Sequence, residues 1–256
     1  MVEVLKQLLQ REIEARYRGS VLGVLWSFLT PLLLLAIFTF VFAVVFKARW
    51  GTGGETSVQE FALILFAGLT TFNLFSEVAA RAPALVTSQP NLVKKVVFPL
   101  EVLPVVALGS ALFQAGIAMV MLVVFQIGLG TGFHATALLV PLLVLPLCLV
   151  TLGLSWFLSA LGVYVRDVGQ VVPPLITALM FLNPVFYPAS ALPDWIRPLA
   201  TYSPLAYSVE AVRGAVIFGT VPDPAPWLVA LVAGLAVAAL GYAFFQKTRK
   251  GFADVL

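Results

Sequence analysis

Three residues near the start of the chain could together bind a phosphate group. Arg16, Tyr17 and Arg18 close a charged stretch, and the residues from Gly19 to Phe46 carry no charge. Arginine suits phosphate because its planar guanidinium donates two parallel hydrogen bonds to neighbouring oxygens. One interpretation is therefore that these residues receive the phosphate of a lipid-linked molecule at a membrane surface. The simpler interpretation is that they only anchor the chain to lipid headgroups.

Aromatic residues form a second candidate site. They fall into two groups, one with a four-residue spacing that places the rings on one face of a helix, and one in a short later segment. The side chains are Phe38, Phe42, Phe46, Phe181, Phe186 and Tyr187. Aromatic rings offer apolar area without charge, so such a ridge could line a channel on which sugar faces stack. Packing inside the protein or against lipid is the alternative.

Motifs for common catalysis are missing from the sequence. No glycine is followed directly by lysine, so there is no Walker A loop for ATP. Neither HExxH nor GxSxG occurs, and one histidine with one cysteine cannot form an ordinary zinc site. The sequence therefore predicts that the chain is not an enzyme, has no catalytic or metal-binding residues, and binds no cofactor of its own.

The composition requires a membrane around these residues. Hydrophobic residues make up 61% of the chain and charged residues 11%, with a mean hydropathy of +1.03, which leaves too little polar surface for a water-soluble fold. No long polar segment could form a separate module, so residues 1–256 are predicted to be one transmembrane domain. The lysines and arginines are dispersed and form no basic face, which argues against nucleic acid as a partner.

The hydrophobic pattern predicts an all-α integral membrane fold with six transmembrane helices. A helix rises about 1.5 Å per residue, so roughly 20 apolar residues cross a ~30 Å hydrocarbon core. The predicted spans are residues 24–46, 61–80, 104–128, 136–163, 171–187 and 227–245. Residues 1–20 have helical spacing of their leucines and are predicted to lie as an amphipathic helix in the headgroup region.

The basic residues predict the orientation of these spans. If the first residues lie in the cytoplasm, only Lys47, Arg49, Arg197 and Arg213 fall on the outer side. This distribution satisfies the positive-inside rule. The chain is therefore predicted to be a multi-pass protein of the cytoplasmic (inner) membrane with its N- and C-termini in the cytoplasm.

The stretch between the fifth and sixth predicted spans is irregular. Residues 183–226 contain eight prolines among apolar and aromatic residues. Broken backbone at membrane depth needs protein or water to satisfy its polar groups. Residues 188–225 are therefore predicted to form a re-entrant outer region beside a cavity, with short helices at about 192–199 and 207–217.

Five short motifs follow one another in the order of a known family. They are RGSVLGVLW at 18–26, NLVKKVVFP at 91–99, YVRDV at 164–168, NPVFYP at 183–188 and SPL at 203–205. This series spans most of the chain and resembles the type-2 ABC exporter permeases. Within them it is most similar to the branch that exports lipid-linked O-antigen, capsule or teichoic acid chains. One departure is Asn183, where relatives often carry serine or another small polar residue.

The resemblance implies a set of partners. Such permeases form homodimers and bind two copies of a separate ABC ATPase, which holds ATP and Mg²⁺. The exported molecule would be a lipid-linked polysaccharide, O-antigen first, moving through a channel between the two copies and in contact with membrane lipids. A type-2 permease that exports a drug or another lipid is the alternative, and an ion-coupled carrier or intramembrane enzyme is a third class.

Position by position, the resemblance also assigns two surfaces. The residues that would couple the chain to the ATPase are Asn91, Lys94, Lys95, Arg166 and Asp167. The outer gate would be formed by Pro193, Trp195, Tyr202 and Tyr207.

Overall fold

The computed structural model describes residues 2–17, 22–45, 50, 57–94, 98–129 and 132–255, and all regular structure in these residues is helical. The α-helices are α1 (Val2–Tyr17), α2 (Trp26–Thr39), α3 (Val58–Arg81), α4 (Pro90–Lys94), α5 (Val102–Gly128), α6 (Val140–Leu143), α7 (Leu145–Tyr164), α8 (Val168–Leu182), α9 (Arg197–Tyr202), α10 (Pro204–Ile217), α11 (Pro224–Thr248) and α12 (Phe252–Val255). A π-helical segment, Phe40–Val45, continues α2. The predicted all-α class is confirmed.

Five helical segments are long and apolar enough to cross a membrane. They are Trp26–Val45, Val58–Ala84, Val102–Gly128, Ala135–Tyr164 and Pro224–Val255, and each corresponds to one predicted span. The remaining predicted span corresponds to α8, an apolar helix of 15 residues. At about 1.5 Å per residue this helix is shorter than a ~30 Å hydrocarbon core. The sixth crossing therefore stays a prediction.

The first and last helices lie at the same end of the helix bundle, called the terminal end below. Arg81, at the end of α3, pairs with Glu12 of α1. Arg249, just after α11, pairs with Glu101, just before α5, at 2.7 Å. The opposite end is called the distal end, and it contains the side chain of Arg213 from α10.

Helix α3 is the centre of the bundle. Its side chains Phe61, Leu65 and Phe72 are almost fully buried. It packs against α2, α5, α7, α8 and α10. The helix has no charged residue between Phe61 and Ser76, so it can be buried on most of its sides.

Helices α7 and α11 approach closely because glycines face the opposite backbone. A Cβ atom added at Gly234 of α11 would lie 2.8 Å from the carbonyl oxygen of Pro146. A Cβ atom added at Gly241 would overlap the carbonyl oxygen of Gly153. Small residues are the usual means by which membrane helices come this close.

Gly241→Ala is expected to lower the melting temperature of the detergent-purified protein, because the added methyl group must push α7 and α11 apart. The matched control is Gly116→Ala in α5, where an added Cβ meets nothing within 4 Å. This control should be neutral or slightly stabilising, since alanine is favoured over glycine in a helix by about 1 kcal/mol. Equal melting temperatures for the two variants would contradict the close packing.

Candidate functional site

The predicted coupling residues that the structure describes lie at the terminal end. Asn91 is exposed in α4, and Arg166 and Asp167 are exposed in the turn between α7 and α8. Helices α4 and α7 both contact α12, so the two segments flank the same short helix. Lys95 and the side chain of Lys94 lie outside the described residues.

A hydrophobic cluster holds this surface in place. Its buried members include Val86 and Leu100 from the segment before α5, Val163 near the end of α7, and Phe245 and Phe252 from the last helices. Three parts of the chain that are distant in sequence therefore meet in one close-packed unit. Because close-packed interiors transmit strain, a partner bound at this surface would act directly on α7 and α11.

An ion-pair cluster attaches α1 to the rest of the terminal end. Arg16 pairs with Glu77 of α3 and also donates a hydrogen bond to Ser110 Oγ of α5 at 3.2 Å. Arg81 pairs with Glu12 of α1 and lies 3.7 Å from Glu77. A cavity of about 500 Å³ borders these two arginines and two glutamates.

The predicted phosphate site is described only in part. Arg16 borders the cavity, but a bound phosphate would have to compete with the Glu77 carboxylate for its guanidinium. Arg18 and the side chain of Tyr17 lie outside the described residues. Phosphate binding by these three residues stays a prediction. The carboxylate partner was not foreseen because it lies 61 positions further along the chain.

A groove with several polar side chains continues from the ion-pair cluster between α2, α3 and α5. It has a volume of about 390 Å³, and its lining includes Thr30, Asn73 and Glu77. Gln114 also lines it and donates a hydrogen bond to the backbone oxygen of Ser27 at 3.0 Å, which joins α5 to α2. Polar side chains are costly against lipid, so this groove is suited to face water, a polar ligand or another chain.

Several of the predicted channel residues meet in one aromatic cluster, formed by Phe38, Phe42, Phe181, Phe186 and Tyr187. The Phe186 ring stacks on Phe42 with centroids 4.8 Å apart, and it lies 5.1 Å from Phe38 and 5.4 Å from Phe181. The Tyr187 hydroxyl donates a hydrogen bond to the backbone oxygen of Phe181 at 2.9 Å. The cluster therefore joins α2 to the end of α8.

The members of the aromatic cluster differ in burial. Phe186 is only 5% exposed, so packing inside the protein is its role in this structure. Phe181 is 54% exposed, and its ring is available to a channel or to lipid. Phe46 lies outside the described residues.

Three of the four predicted gate residues lie on the surface of the distal end. Pro193, Trp195 and Tyr202 are exposed, and Trp195 is the most exposed at 82%. Tyr207 is buried in α10 with 7% exposure, so it packs in the interior. A role for Tyr207 in a gate would therefore act through packing.

The helix expected at residues 192–199 begins later than predicted. The backbone N–H groups of Ile196 and Arg197 both donate to the carbonyl oxygen of Pro193, which forms a turn before α9. Pro198 then occupies the second position of α9, where a missing N–H costs nothing. The helix expected at 207–217 lies within α10.

Comparison with known proteins identifies the family. Residues 3–217 match the model described as ABC-2 type transporter. The chain belongs to this family.

The chain is 27% identical over 253 residues to the O-antigen export system permease protein RfbA of Myxococcus xanthus, and the match covers 98% of this chain and 94% of that protein. It is 26% identical over 225 residues to the polysialic acid transport protein KpsM of Escherichia coli, with coverage of 84% and 82%. A third relative is the capsule polysaccharide export inner-membrane protein CtrC of Neisseria meningitidis, 23% identical over 253 residues, with coverage of 97% and 92%.

Membership of the ABC-2 transporter family confirms the resemblance carried by the five motifs, all of which fall within the matched range. The polysaccharide-export relatives span most of this permease. Among the described residues, no group of three or more His, Cys, Asp or Glu side chains is placed to hold a metal ion.

Reversing the ion pair that attaches α1 to α3 of this ABC-2 permease tests the ion-pair cluster. Arg81→Glu is expected to lower the melting temperature slightly, because it brings a third carboxylate to Glu12 and Glu77. Pairs exposed to this extent contribute about 0.2–1 kcal/mol, so the shift should be small. The double variant Arg81→Glu with Glu12→Arg should recover part of the loss in the same assay. A double variant no more stable than the single one contradicts the pairing.

Proposed function

We propose that this permease is the transmembrane subunit of an ATP-driven exporter that moves a lipid-linked polysaccharide, of the O-antigen type, across the cytoplasmic membrane. The observation that carries the proposal is the similarity to an O-antigen export permease over 98% of the chain. A separate ABC ATPase subunit hydrolyses ATP with Mg²⁺. The lack of a Walker A loop in this sequence supports that division of labour.

Six crossings are part of this proposal. Helices α1 and α12 both lie at the terminal end, so the number of crossings between them is even. Five segments are long enough to cross, and α8 leads from Asp167 at the terminal end to Pro184 at the distal end. Helix α8 then supplies the sixth crossing, extended by the buried residues 183–186 that follow it. The positive-inside rule places the terminal end in the cytoplasm.

The distal helices α9 and α10 form the re-entrant outer region in this proposal. Ser208, near the start of α10, donates to the backbone oxygen of Leu143 just before α7, at 3.2 Å. Val216, near its other end, accepts from Gln126 at the end of α5, at 2.8 Å. Both ends of α10 therefore lie near distal helix ends, which is the geometry expected of a helix that dips in without crossing.

The conduit is formed between two copies of the chain, each bound to one ATPase subunit. One copy offers a groove with several polar side chains between α2, α3 and α5, and an exposed aromatic ring at Phe181. Amide, hydroxyl and carboxylate groups bind sugar hydroxyls, and aromatic faces stack on sugar rings. A dimer doubles these surfaces around one axis.

Reconstitution with the cognate ATPase in liposomes tests the proposed function. We expect a lipid-linked O-antigen to stimulate ATP hydrolysis and to be transported, and capsule-type glycans to do so less. Stimulation by a hydrophobic drug and not by any glycan would support the alternative, a drug-exporting ABC-2 permease. Glycan transport by the purified chain without ATPase, driven by an ion gradient, would overturn the proposal.

A further inference from the structure

Arg213 of α10 is fully buried at the distal end and donates hydrogen bonds to three parts of the chain. Its Nε donates to the backbone oxygen of Ile64 in α3 at 3.3 Å. Nη1 donates to the oxygen of Pro184 at 3.0 Å and to Glu210 Oε1 at 2.7 Å. Nη2 donates to the oxygen of Val185 at 2.9 Å. The guanidinium thus joins α10, α3 and the segment after α8.

The surroundings of Arg213 are shaped to its guanidinium. Trp50 lies over it, with the guanidinium carbon 4.2 Å from the ring centroid, and adds a cation–π contact. A Cβ atom added at Gly68 of α3 would overlap Nη2, so glycine leaves the space that the group occupies. A buried charge is costly unless it is paired and hydrogen-bonded, and both conditions are met here.

The segment that Arg213 holds leads directly into the aromatic cluster. Val185 accepts one of its hydrogen bonds, and the next residue, Phe186, stacks on Phe42 of the π-helical segment and also contacts Phe38 of α2. We propose that Arg213 is a positioning residue that fixes Phe186 against α2 and so keeps the segment after α8 packed on α2. The transport consequence rests on the proposed function: this segment and α2 could separate only when this set of hydrogen bonds loosens.

Arginine is required for this role because one planar group must satisfy acceptors in several directions. A lysine ammonium keeps the charge but cannot reproduce the fixed fork that reaches Ile64, Pro184 and Val185 together. Methionine keeps much of the side-chain volume and donates no hydrogen bond. Arg213→Lys and Arg213→Met should therefore both loosen the segment after α8 while apolar packing elsewhere is retained.

Thiol reactivity measures this loosening at a chosen place. The background is Cys148→Ser, which removes the single natural cysteine. The reporter is Val185→Cys, at a side chain with 0% exposure, and the control reporter is Val163→Cys at the terminal end, with 3% exposure. We expect Arg213→Met to raise the maleimide labelling rate of the Val185 reporter by about tenfold or more, as when a hydrogen bond to a charged group no longer resists local opening. The Val163 reporter should keep its rate.

Gly68→Ala provides a second, independent perturbation that leaves Arg213 in the chain. The added methyl group displaces Nη2 and crowds the oxygen of Val185, which would lie 3.2 Å away. It should raise labelling of the Val185 reporter in the same direction as Arg213→Met. The matched control, Gly116→Ala in α5, meets nothing within 4 Å and should change neither reporter.

The outcomes separate this inference from the proposed function. The inference is overturned if the cysteine at position 185 stays unreactive in the Arg213 variants and in Gly68→Ala. It is also overturned if the labelling rates at positions 185 and 163 rise equally in every variant. If Arg213→Met does not fold, Gly68→Ala decides the result by the same criterion. The labelling assay uses neither glycan nor ATPase. If the wild-type chain fails to export the glycan, the transport role is therefore wrong, but the labelling result for Arg213 remains valid.

Discussion

Alanine at Phe186 is expected to reduce the yield of folded protein several-fold, whereas alanine at Phe181 is expected to leave that yield unchanged. Phe186 is 5% exposed, stacks on Phe42 and contacts Phe38, so truncation leaves a cavity between α2 and the segment after α8. Loss of a buried phenylalanine costs about 3–5 kcal/mol, a large part of the stability of an ordinary domain. Phe181 is 54% exposed and buries little. The difference is measured as the amount of monodisperse protein that detergent extracts per cell, and as the melting temperature of that protein.

The same pair of variants separates packing from channel lining. If Phe181 faces the conduit, Phe181→Ala should reduce glycan export per folded transporter even though the fold is intact. Phe113→Ala in α5 is the matched control, because Phe113 is similarly exposed at 44% but lies outside the aromatic cluster. Equal export by the two variants would show that Phe181 faces lipid. An unchanged yield for Phe186→Ala would contradict the packing described for that ring.

The long helices could be predicted because their signal is local. The first predicted span, residues 24–46, agrees closely with the segment Trp26–Val45, since the absence of charge alone marks a stretch that lipid must cover. The end of α8 also had a local signal that the prediction at 171–187 did not use. Asn183 precedes Pro184, which disfavours helical backbone at Asn183, and the helix ends at Leu182 with Asn183 extended.

The buried polar contacts could not be predicted because their partners are distant in sequence. The positive-inside rule counts Arg213 on the outer side and says nothing of its burial, because its backbone acceptors lie 149, 29 and 28 positions away. The pair of Arg81 and Glu12 spans 69 positions. A hydropathy pattern predicts whether a helix is surrounded by lipid or by water, but not which other helix packs against it. The one local hint was Glu210, three residues before Arg213, because an opposite charge at this spacing can compensate a buried one.

Asp167→Arg is expected to abolish glycan export while the permease remains folded and abundant. Asp167 is exposed in the turn between α7 and α8, and its side chain makes no capping hydrogen bond to α8. Charge reversal should therefore cost little stability and act on the partner that meets this surface. In the proposed exporter that partner is the ATPase, so ATP hydrolysis should continue without transport, or the ATPase should no longer copurify.

Two further variants decide whether the effect of Asp167→Arg is specific. Asp167→Asn keeps the size of the side chain and removes only the charge, so its loss of export should be partial. Asp194→Arg makes the same reversal at the distal end, where Asp194 is 91% exposed, and should leave ATPase copurification unchanged. The hydrophobic cluster beneath Asp167 connects the surface to α7 and α11, so an ATPase displaced from this turn loses its mechanical contact with the membrane helices. If Asp194→Arg removes the ATPase and Asp167→Arg does not, the terminal end is not the cytoplasmic end, and the proposed orientation is reversed.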